Sequence, residues 1–368
     1  MKGLILSGGS GTRLRPITHT SAKQLVPVAN KPILFYGLEH MIDAGIREFG
    51  IVVGETGPEI RAAVGDGSRW GVQISYIQQD APLGLGHCVL ISRDFLGEDD
   101  FIVYLGDNMI QQGVTRFVER FEAAQRQADE PTLDGDHRSP DAQILLCPVP
   151  DPQRFGVAEV DAGGHVIRLV EKPADPPSNL ALAGVYLFTP AIHEAVRAIA
   201  PSERGELEIT DAIQWLIDND HRVIHEILEG WWLDTGKKDP LLESNRRVLE
   251  TLETRIDGKV DDASHVDGRV VVEEGAQLIG SRVRGPAIIG ARTRIVDSYI
   301  GPFTAVAEDC EIIDSEVEHS VILEHSRIVG VPRLTDSLIG RHVEVLRSGE
   351  RPSATRLMLG DHCTIDLE

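Results

Sequence analysis

The sequence has 368 residues, of which 42% are hydrophobic and 26% charged, a balance typical of a globular protein with a large buried core. Its formal net charge of −22 argues against nucleic acid and anionic membranes as partners. No apolar run approaches the roughly 18 residues of a membrane span. The apolar residues 4–6 are also too few for the core of a signal peptide, so a cytoplasmic protein is expected.

The first part of the chain alternates strand and helix patterns. The predicted strands are 3–7, 49–53, 72–78, 101–105 and 142–147. The predicted helices are 32–44, 58–64, 86–95 and 114–127, and the polar segment 126–141 is expected to be a surface loop. Such alternation predicts a mainly parallel α/β sheet, whose ligands lie at the carboxyl ends of the strands.

From residue 155 the pattern becomes rich in strands, which makes the predicted sheet a Rossmann-like mixed one. Helices are expected at 190–199 and 209–218, and a strand at 222–228. A helix at 240–252 is expected to lead into the C-terminal part.

The C-terminal part repeats apolar residues in steps of six, with occasional fives. The repeating residues are Val260, Val266, Val272, Leu278, Val283, Ile289, Ile295, Ile300, Val306, Ile312, Val317, Ile322, Ile328, Leu334, Ile339 and Val345. This period fits a parallel β-helix, in which short strands stack from coil to coil. The repeat resembles the left-handed hexapeptide β-helices. The domains predicted are therefore 1–250, a β-helix at 251–346, and a tail or cap at 347–368.

The segment "LSGGSGTRLRP" places a glycine-rich turn after the first predicted strand. A Walker A loop is excluded because no lysine ends the turn, and a dinucleotide fingerprint is excluded because Leu14 occupies the third glycine position. No acidic residue precedes Glu39, although five lysines and arginines do, and this positive start suits a small polyanionic substrate.

The pattern GGxGTRL, followed by Pro16 and then Lys23, resembles the signature of the sugar-nucleotidyltransferases, and the likeness extends over nearly the whole chain. Glycines allow backbone amides to approach a triphosphate, and arginine and lysine add positive charge. The resemblance implies Arg13, Lys23 and Lys172 as catalytic residues. It implies nucleotide binding by Leu6, Gly8, Gly9, Ser10, Gly11, Thr12, Arg13, Gln24, Gln79, Gly84 and Asp107.

The same resemblance implies a metal and a sugar site. "YLGDN" and "WLDTG" supply Asp107 and Asp234 as ligands of Mg²⁺, which prefers carboxylate oxygens. The sugar phosphate would be bound by Asn108, Gly156, Glu171, Lys172 and Gly184, with segment 180–186 as the wall of its pocket.

"KQL" at 23–25 resembles the thymidylyl-transferring members of the family, and the Gln24 amide can pair with a pyrimidine edge. The implied substrates are dTTP and glucose 1-phosphate, and the products are dTDP-glucose and pyrophosphate, at the first step of a dTDP-deoxysugar pathway. UTP or another sugar 1-phosphate remains an alternative, because a missing methyl group costs only roughly 1–3 kcal/mol.

Two other functions stay open. A bifunctional enzyme would carry acyltransferase activity in the β-helix, for which His319, His325 and His342 are available; a non-catalytic protein is disfavoured because Arg13, Asp107, Lys172 and Asp234 are all present. The scattered cysteines Cys88, Cys147, Cys310 and Cys363 predict reduced thiols. A homo-oligomer is expected.

Overall fold

The computed structural model describes residues 1–9, 14–15, 17–19, 22–127 and 138–347. By its internal contacts the chain divides into two compact units, Met1–Ser10 with Leu34–Trp232, and Gly11–Ile33 with Leu233–Glu368. The domain boundaries at 250 and 346 stay predictions. The expected tail beyond residue 347 and the centre of the expected loop, 128–137, lie outside the described residues.

The helices follow the predicted pattern closely, with one exception. Within the described ranges they are α1 (Ile33–Asp43), α2 (Gly57–Val64), α3 (Leu85–Ile91), α4 (Arg93–Leu96), α5 (Thr115–Gln127), α6 (Ile192–Ala198), α7 (Ile209–Asp218) and α8 (Lys238–Leu249). The single helix predicted at 86–95 was wrong, because it is divided at Ser92. The Ser92 hydroxyl donates to the Cys88 carbonyl at 2.7 Å, a local bond that competes with continuation of the helix.

The strands up to residue 234 form a mixed sheet and smaller pairs. They are β1 (Lys2–Ser7), β2 (Pro27–Val28), β3 (Lys31–Pro32), β4 (Glu48–Val53), β5 (Gln73–Gln78), β6 (Phe101–Leu105), β7 (Asn108–Ile110), β8 (Ala142–Pro148), β9 (Gly156–Val160), β10 (Val166–Glu171), β11 (Leu180–Phe188), β12 (Val223–Ile227) and β13 (Trp232–Asp234). The main sheet has the order β10-β9-β11-β6-β1-β4-β5, with β8 beside β11 and β12 beside β8.

The Rossmann-like mixed sheet predicted from the sequence is confirmed. β1 is parallel to both β4 and β6, whereas β11 runs antiparallel to β6 and β8. The residues of β1 from Gly3 to Ser7 are all buried, which explains why this central strand is apolar without alternation.

The C-terminal part forms three parallel sheets, which confirms the β-helix. The first sheet contains Arg255–Ile256, Val270–Val272, Ala287–Ile289, Thr304–Val306, Val321–Ile322 and Leu338–Ile339. The second contains Lys259–Val260, Gln277–Ile279, Arg294–Val296, Glu311–Ile313, Arg327–Val329 and Glu344–Leu346. The third contains His265–Asp267, Arg282–Arg284, Tyr299–Ile300 and Glu316–Val317.

The interior of the β-helix contains every one of the sixteen periodic apolar residues predicted from the sequence. Buried serines add a polar ladder: Ser281, Ser298 and Ser315 each donate a backbone N–H to the hydroxyl of a serine 17 residues earlier. The ladder satisfies backbone donors that the interior would otherwise leave without a partner.

Two further sequence expectations concern membranes and thiols. No helix formed by the described residues is long and apolar enough to cross a membrane. Cys88, Cys147 and Cys310 are buried free thiols, as expected of reduced cysteines, and Cys363 lies outside the described residues. The cytoplasmic location stays a prediction.

Candidate active site

The carboxyl ends of parallel strands bring three predicted segments to one edge of the main sheet. Gly8 follows β1, Gln79 follows β5, and Asp107 lies two residues beyond β6. β1, β4, β5 and β6 are neighbours and run parallel, so these residues share the edge at which ligands of open α/β sheets bind. Leu6 belongs to this edge through its backbone, since its carbonyl accepts the Gly106 N–H at 3.0 Å.

Gly8, the first glycine of the glycine-rich turn, packs against the predicted base-binding residue Gln79. A Cβ atom on Gly8 would lie 2.7 Å from Oε1 of Gln79, so only glycine fits there without displacing that amide. Gln79 is 6% exposed, and its Nε2 lies 3.4 Å from the Gly84 carbonyl and 3.1 Å from Nδ1 of His87. The structure thus brings Gly8, Gln79 and Gly84 together. It adds His87, which sequence reasoning missed although it follows the same glycine segment.

Asp107 is oriented by the asparagine that follows it. Asn108 is 3% exposed, and its Nδ2 donates to Oδ1 of Asp107 at 3.2 Å. Its Oδ1 accepts from Nε1 of Trp232 at 2.5 Å, and its backbone carbonyl accepts from the Tyr104 hydroxyl at 3.3 Å. Gly184 closes the other side, where an added Cβ would lie 2.7 Å from Oδ1 of Asn108. The Asn108 amide is therefore fixed on several sides, and Asp107 with it.

The predicted sugar-site residues also come together. Glu171 at the end of β10 pairs with Gly156 at the start of β9, and a Cβ on Gly156 would lie 3.1 Å from Oε2 of Glu171. Lys172 has a left-handed φ of +42°, its N–H donates to the Phe155 carbonyl, and its Nζ lies 3.2 Å from Oε1 of Glu171. The Thr210 hydroxyl donates to Oε2 of Glu171 at 3.3 Å. A carboxylate and an ammonium group thus stand side by side at half-exposed positions.

Arg204 is a second cation at this corner, which sequence reasoning missed. Its Nη2 lies 3.3 Å from Oε1 of Glu171 and 2.8 and 2.9 Å from the two carboxylate oxygens of Glu208. Burial raises the pKa of Asp211, and the carboxylates of Glu208 and Glu171 raise it further. The sequence signal that could have indicated Arg204 is the segment "SERGELEITD", in which one arginine lies among several acidic residues.

Three predicted residues lie in the second unit: Lys23, Gln24 and Asp234. Lys23 begins a 3₁₀ helix, Lys23–Leu25, whose following residue Val26 donates its N–H to the Lys23 carbonyl. Gln24 is 1% exposed, and among the described residues its Oε1 has no hydrogen-bond partner. Oδ1 of Asp234 accepts the N–H of Gly236 at 3.1 Å.

Part of the predicted triphosphate loop lies outside the described residues. Gly9 is exposed and is the last described residue before this gap. The predicted residues in the gap are Ser10, Gly11, Thr12 and Arg13. Their binding and catalytic roles stay predictions.

The three histidines considered for acyl transfer are placed on the β-helix. Nδ1 of His319 lies 2.5 Å from Oδ1 of Asp336, and the rings of His325 and His342 are stacked with centroids 4.8 Å apart. The acyltransferase alternative stays untested by these contacts, as does the expected homo-oligomer.

Comparison with known proteins gives one consistent result. The sequence model of the family described as "Nucleotidyl transferase" matches residues 2–251. A glucose-1-phosphate thymidylyltransferase of Streptomyces griseus is 60% identical over 362 residues, 98% of each chain. Another, from Streptomyces antibioticus, is 56% identical over 368 residues, 100% of each chain.

The similarity extends to solved structures. A Bacillus anthracis protein in complex with sucrose, provisionally assigned as a glucose-1-phosphate thymidylyltransferase, superposes with a TM-score of 0.59 and 32% identity. The superposition covers 67% of this chain and 94% of that chain. Because the family match spans more than half of the sequence and two relatives match over nearly all of it, the chain belongs to the nucleotidyl transferase family, among the glucose-1-phosphate thymidylyltransferases.

Proposed function

We propose that the protein transfers a thymidylyl group from dTTP to glucose 1-phosphate and so performs the first step of a dTDP-deoxysugar pathway. A phosphate oxygen of glucose 1-phosphate attacks the α-phosphorus of dTTP in line. The bond from that phosphorus to the bridging oxygen breaks, pyrophosphate leaves, and dTDP-glucose remains. The attacking phosphate is already ionised at neutral pH, so positioning and charge neutralisation are the main tasks of the protein.

The observation that carries the assignment of the base, thymine or uracil, is the buried carboxamide of Gln24. Its Oε1 has no partner among the described residues, and an unsatisfied buried amide costs about 1–3 kcal/mol. The N3–H of thymine or uracil is a donor flanked by two carbonyl acceptors, and a glutamine amide offers the complementary acceptor and donor. We therefore assign reading of the base to Gln24, and to Gln79 and Gly84 as further base-binding residues.

The sugar phosphate is assigned to the corner formed by Glu171, Lys172 and Arg204. Two cations stand within 3.3 Å of one carboxylate oxygen there. An incoming phosphate can form an ion pair with the Lys172 ammonium group, while Glu171 accepts a hydrogen bond from a sugar hydroxyl. Asn108, Gly156 and Gly184 are proposed as the surrounding wall.

The triphosphate is assigned to the glycine loop, Arg13 and Lys23, and Mg²⁺ to Asp107 and Asp234. Magnesium takes oxygen ligands and is usually held by one or two carboxylates together with substrate phosphates, so these two residues fit it. When bound, it would neutralise charge on the phosphate oxygens. Lys23 is proposed to contact the transferred phosphoryl group, and Arg13 the pyrophosphate side.

The proposal is tested by measuring pyrophosphate release with glucose 1-phosphate and each of dTTP, UTP, CTP and GTP. We expect dTTP to be used best, and UTP about 5- to 150-fold less well for the missing methyl group. A preference for UTP over dTTP of about tenfold or more would contradict the choice of nucleotide.

Gln24→Leu removes the carboxamide at nearly constant volume. Two lost hydrogen bonds to the base predict a fall of about 5- to 150-fold in kcat/KM for dTTP. Gln143→Leu is the matched control. Gln143 in β8 is also buried, and its Oε1 lacks a partner among the described residues. Its Nε2, however, donates to the Phe117 carbonyl of α5. An equal kinetic loss in both variants would remove the assignment of Gln24.

A further inference from the structure

The outer face of the first β-helix sheet is covered by two segments of the second unit. Val271, Ile288, Ala305 and Val321 project from successive strands of that sheet into one apolar cluster. The same cluster contains Leu242 and Leu249 of α8, Ala29 of the β2–β3 turn, and Ile17 at its border. The β-helix thus packs against the chain segment in which Lys23 and Gln24 lie.

A buried asparagine connects the covering segments by hydrogen bonds. Asn245 of α8 is 1% exposed, and its Oδ1 accepts the backbone N–H of Ala29 at 2.9 Å. Its Nδ2 donates to the Phe303 carbonyl of the β-helix at 3.0 Å. Both ends of this one carboxamide are therefore used, one on the turn and one on the β-helix.

The next residue of the turn makes a second connection. Nδ2 of Asn30 donates to the Val306 carbonyl of the first β-helix sheet at 2.7 Å. Ala29 and Asn30 both have positive φ, +47° and +61°, as the tight turn between β2 and β3 requires. The tip of this hairpin is thus fixed by two hydrogen bonds, one to α8 and one to the β-helix, and the Asn245 bond to Phe303 holds α8 to the β-helix.

The hairpin is continuous with the 3₁₀ helix that carries Lys23 and Gln24. The Val26 N–H donates to the Lys23 carbonyl, and the Ile33 N–H donates back to the Val26 carbonyl, each at 3.2 Å. β2 and β3 have two residues each, and so short a hairpin is not stable by itself. Its position, and that of Gln24 five residues before the tip, depends on what holds the tip.

We propose that Asn245 and Asn30 are positioning residues for nucleotide binding, through which the β-helix holds the Lys23–Gln24 segment in place. This inference rests on the proposed contact of Gln24 with the base. It gives the β-helix a part in nucleotide binding that requires no ligand of its own. Loss of either asparagine removes no group that touches a substrate, but it leaves Lys23 and Gln24 to be ordered when the nucleotide binds, which weakens that binding.

The test compares three full-length variants. Asn245→Leu removes both bonds of the carboxamide at similar volume. Asn30→Gly removes the bond to Val306 but keeps a residue that tolerates positive φ. Ser244→Ala is the control: Ser244 is fully buried on the same helix, and its hydroxyl donates locally to the Pro240 carbonyl.

We measure kcat, the KM for dTTP and for glucose 1-phosphate, the dTTP-to-UTP ratio of kcat/KM, and the thermal midpoint. Both asparagine variants should raise the KM for dTTP by about fivefold or more and leave the KM for glucose 1-phosphate within about twofold. The dTTP-to-UTP ratio should stay within about twofold, because thymine and uracil share the edge that Gln24 is proposed to read. Ser244→Ala should leave all kinetic values within about twofold.

The inference is overturned if folded Asn30→Gly and Asn245→Leu keep the wild-type KM for dTTP, or if both KM values rise together. Asn30→Gly alone carries the test if Asn245→Leu does not fold. Failure of the proposed function is a separate result, in which the wild-type protein itself prefers another nucleotide. The same comparison with that nucleotide would still decide whether the two asparagines position its site.

Discussion

One added carbon atom at Gly184 should disturb the Asp107 corner of the site. Gly184 has a φ of +69° and stands in β11 where the pairing with β8 shifts its register. A Cβ atom there would lie 2.7 Å from Oδ1 of Asn108 and 2.9 Å from Cδ1 of Leu105. Gly184→Ala therefore both strains the backbone and pushes the amide that orients Asp107.

The two costs can be estimated separately. An alanine at positive φ costs roughly 1–2 kcal/mol. Crowding a packed interior adds about 1–3 kcal/mol, because Asn108 cannot move without lengthening its bonds to Trp232 and Asp107. The sum, about 2–5 kcal/mol, is the expected loss in the free energy of unfolding, and the displacement of Asn108 should in addition lower kcat/KM.

Gly164→Ala is the matched control for the backbone cost. Gly164 has a φ of +84°, and among the described residues no atom lies within 4 Å of an added Cβ. Denaturant unfolding should show a loss of about 1–2 kcal/mol for Gly164→Ala, with kcat/KM unchanged. Gly184→Ala should lose about 1–3 kcal/mol more and show kcat/KM reduced about tenfold or more. Equal stability and equal kcat/KM in the two variants would refute the argument.

Three further predictions concern other parts of the chain. Burial raises the pKa of the Cys88 thiol to about 12, so iodoacetamide at pH 8 should leave Cys88 unmodified in the native protein and label it after denaturation, as read by peptide mass mapping. The side-chain hydrogen bond from Arg246 lowers the pKa of Glu243 from 4.5 to about 2, so this carboxylate stabilises the fold above its unfolded pKa and the stabilisation is lost as the pH falls through about 2. Glu243→Gln should therefore make the thermal unfolding midpoint fall less steeply between pH 4.5 and about 2. The same slope of midpoint against pH in the variant and the wild type would contradict this prediction. Asp107→Asn should abolish Mg²⁺-dependent turnover while circular dichroism stays native, and retained turnover would remove Asp107 as a metal ligand.

Features that repeat locally were predictable from the sequence. The sixteen periodic apolar residues of the β-helix interior were predicted individually, because each coil needs an apolar side chain at a fixed interval. Other interior residues, such as Val270 and Ala287, lie outside this period and were not predicted. The helix at 209–218 was predicted with the bounds that the structure gives, since its apolar face is strongly periodic. The strand-end positions of Gly8 and Asp107 follow from the same local patterns.

Contacts between distant residues were not predictable. Arg204 meets Glu171 across 33 residues, and Asn245 meets Ala29 across 216 residues. Nothing in the local sequence around Asn245 distinguishes a residue that links two segments from one at the surface of a helix. The break at Ser92 was missed for a different reason, since a serine hydroxyl can bond the preceding turn or water, and only packing decides.

The most direct test of the central claim follows the fate of the α-phosphate. The protein is incubated with dTTP labelled with ³²P at the α-phosphate, glucose 1-phosphate and Mg²⁺, and the products are separated by anion exchange and identified by mass spectrometry. We predict that the label moves into dTDP-glucose in a one-to-one ratio with released pyrophosphate, and only when glucose 1-phosphate is present. Pyrophosphate release with the label in dTMP, or no labelled sugar nucleotide at saturating substrates, would contradict the account.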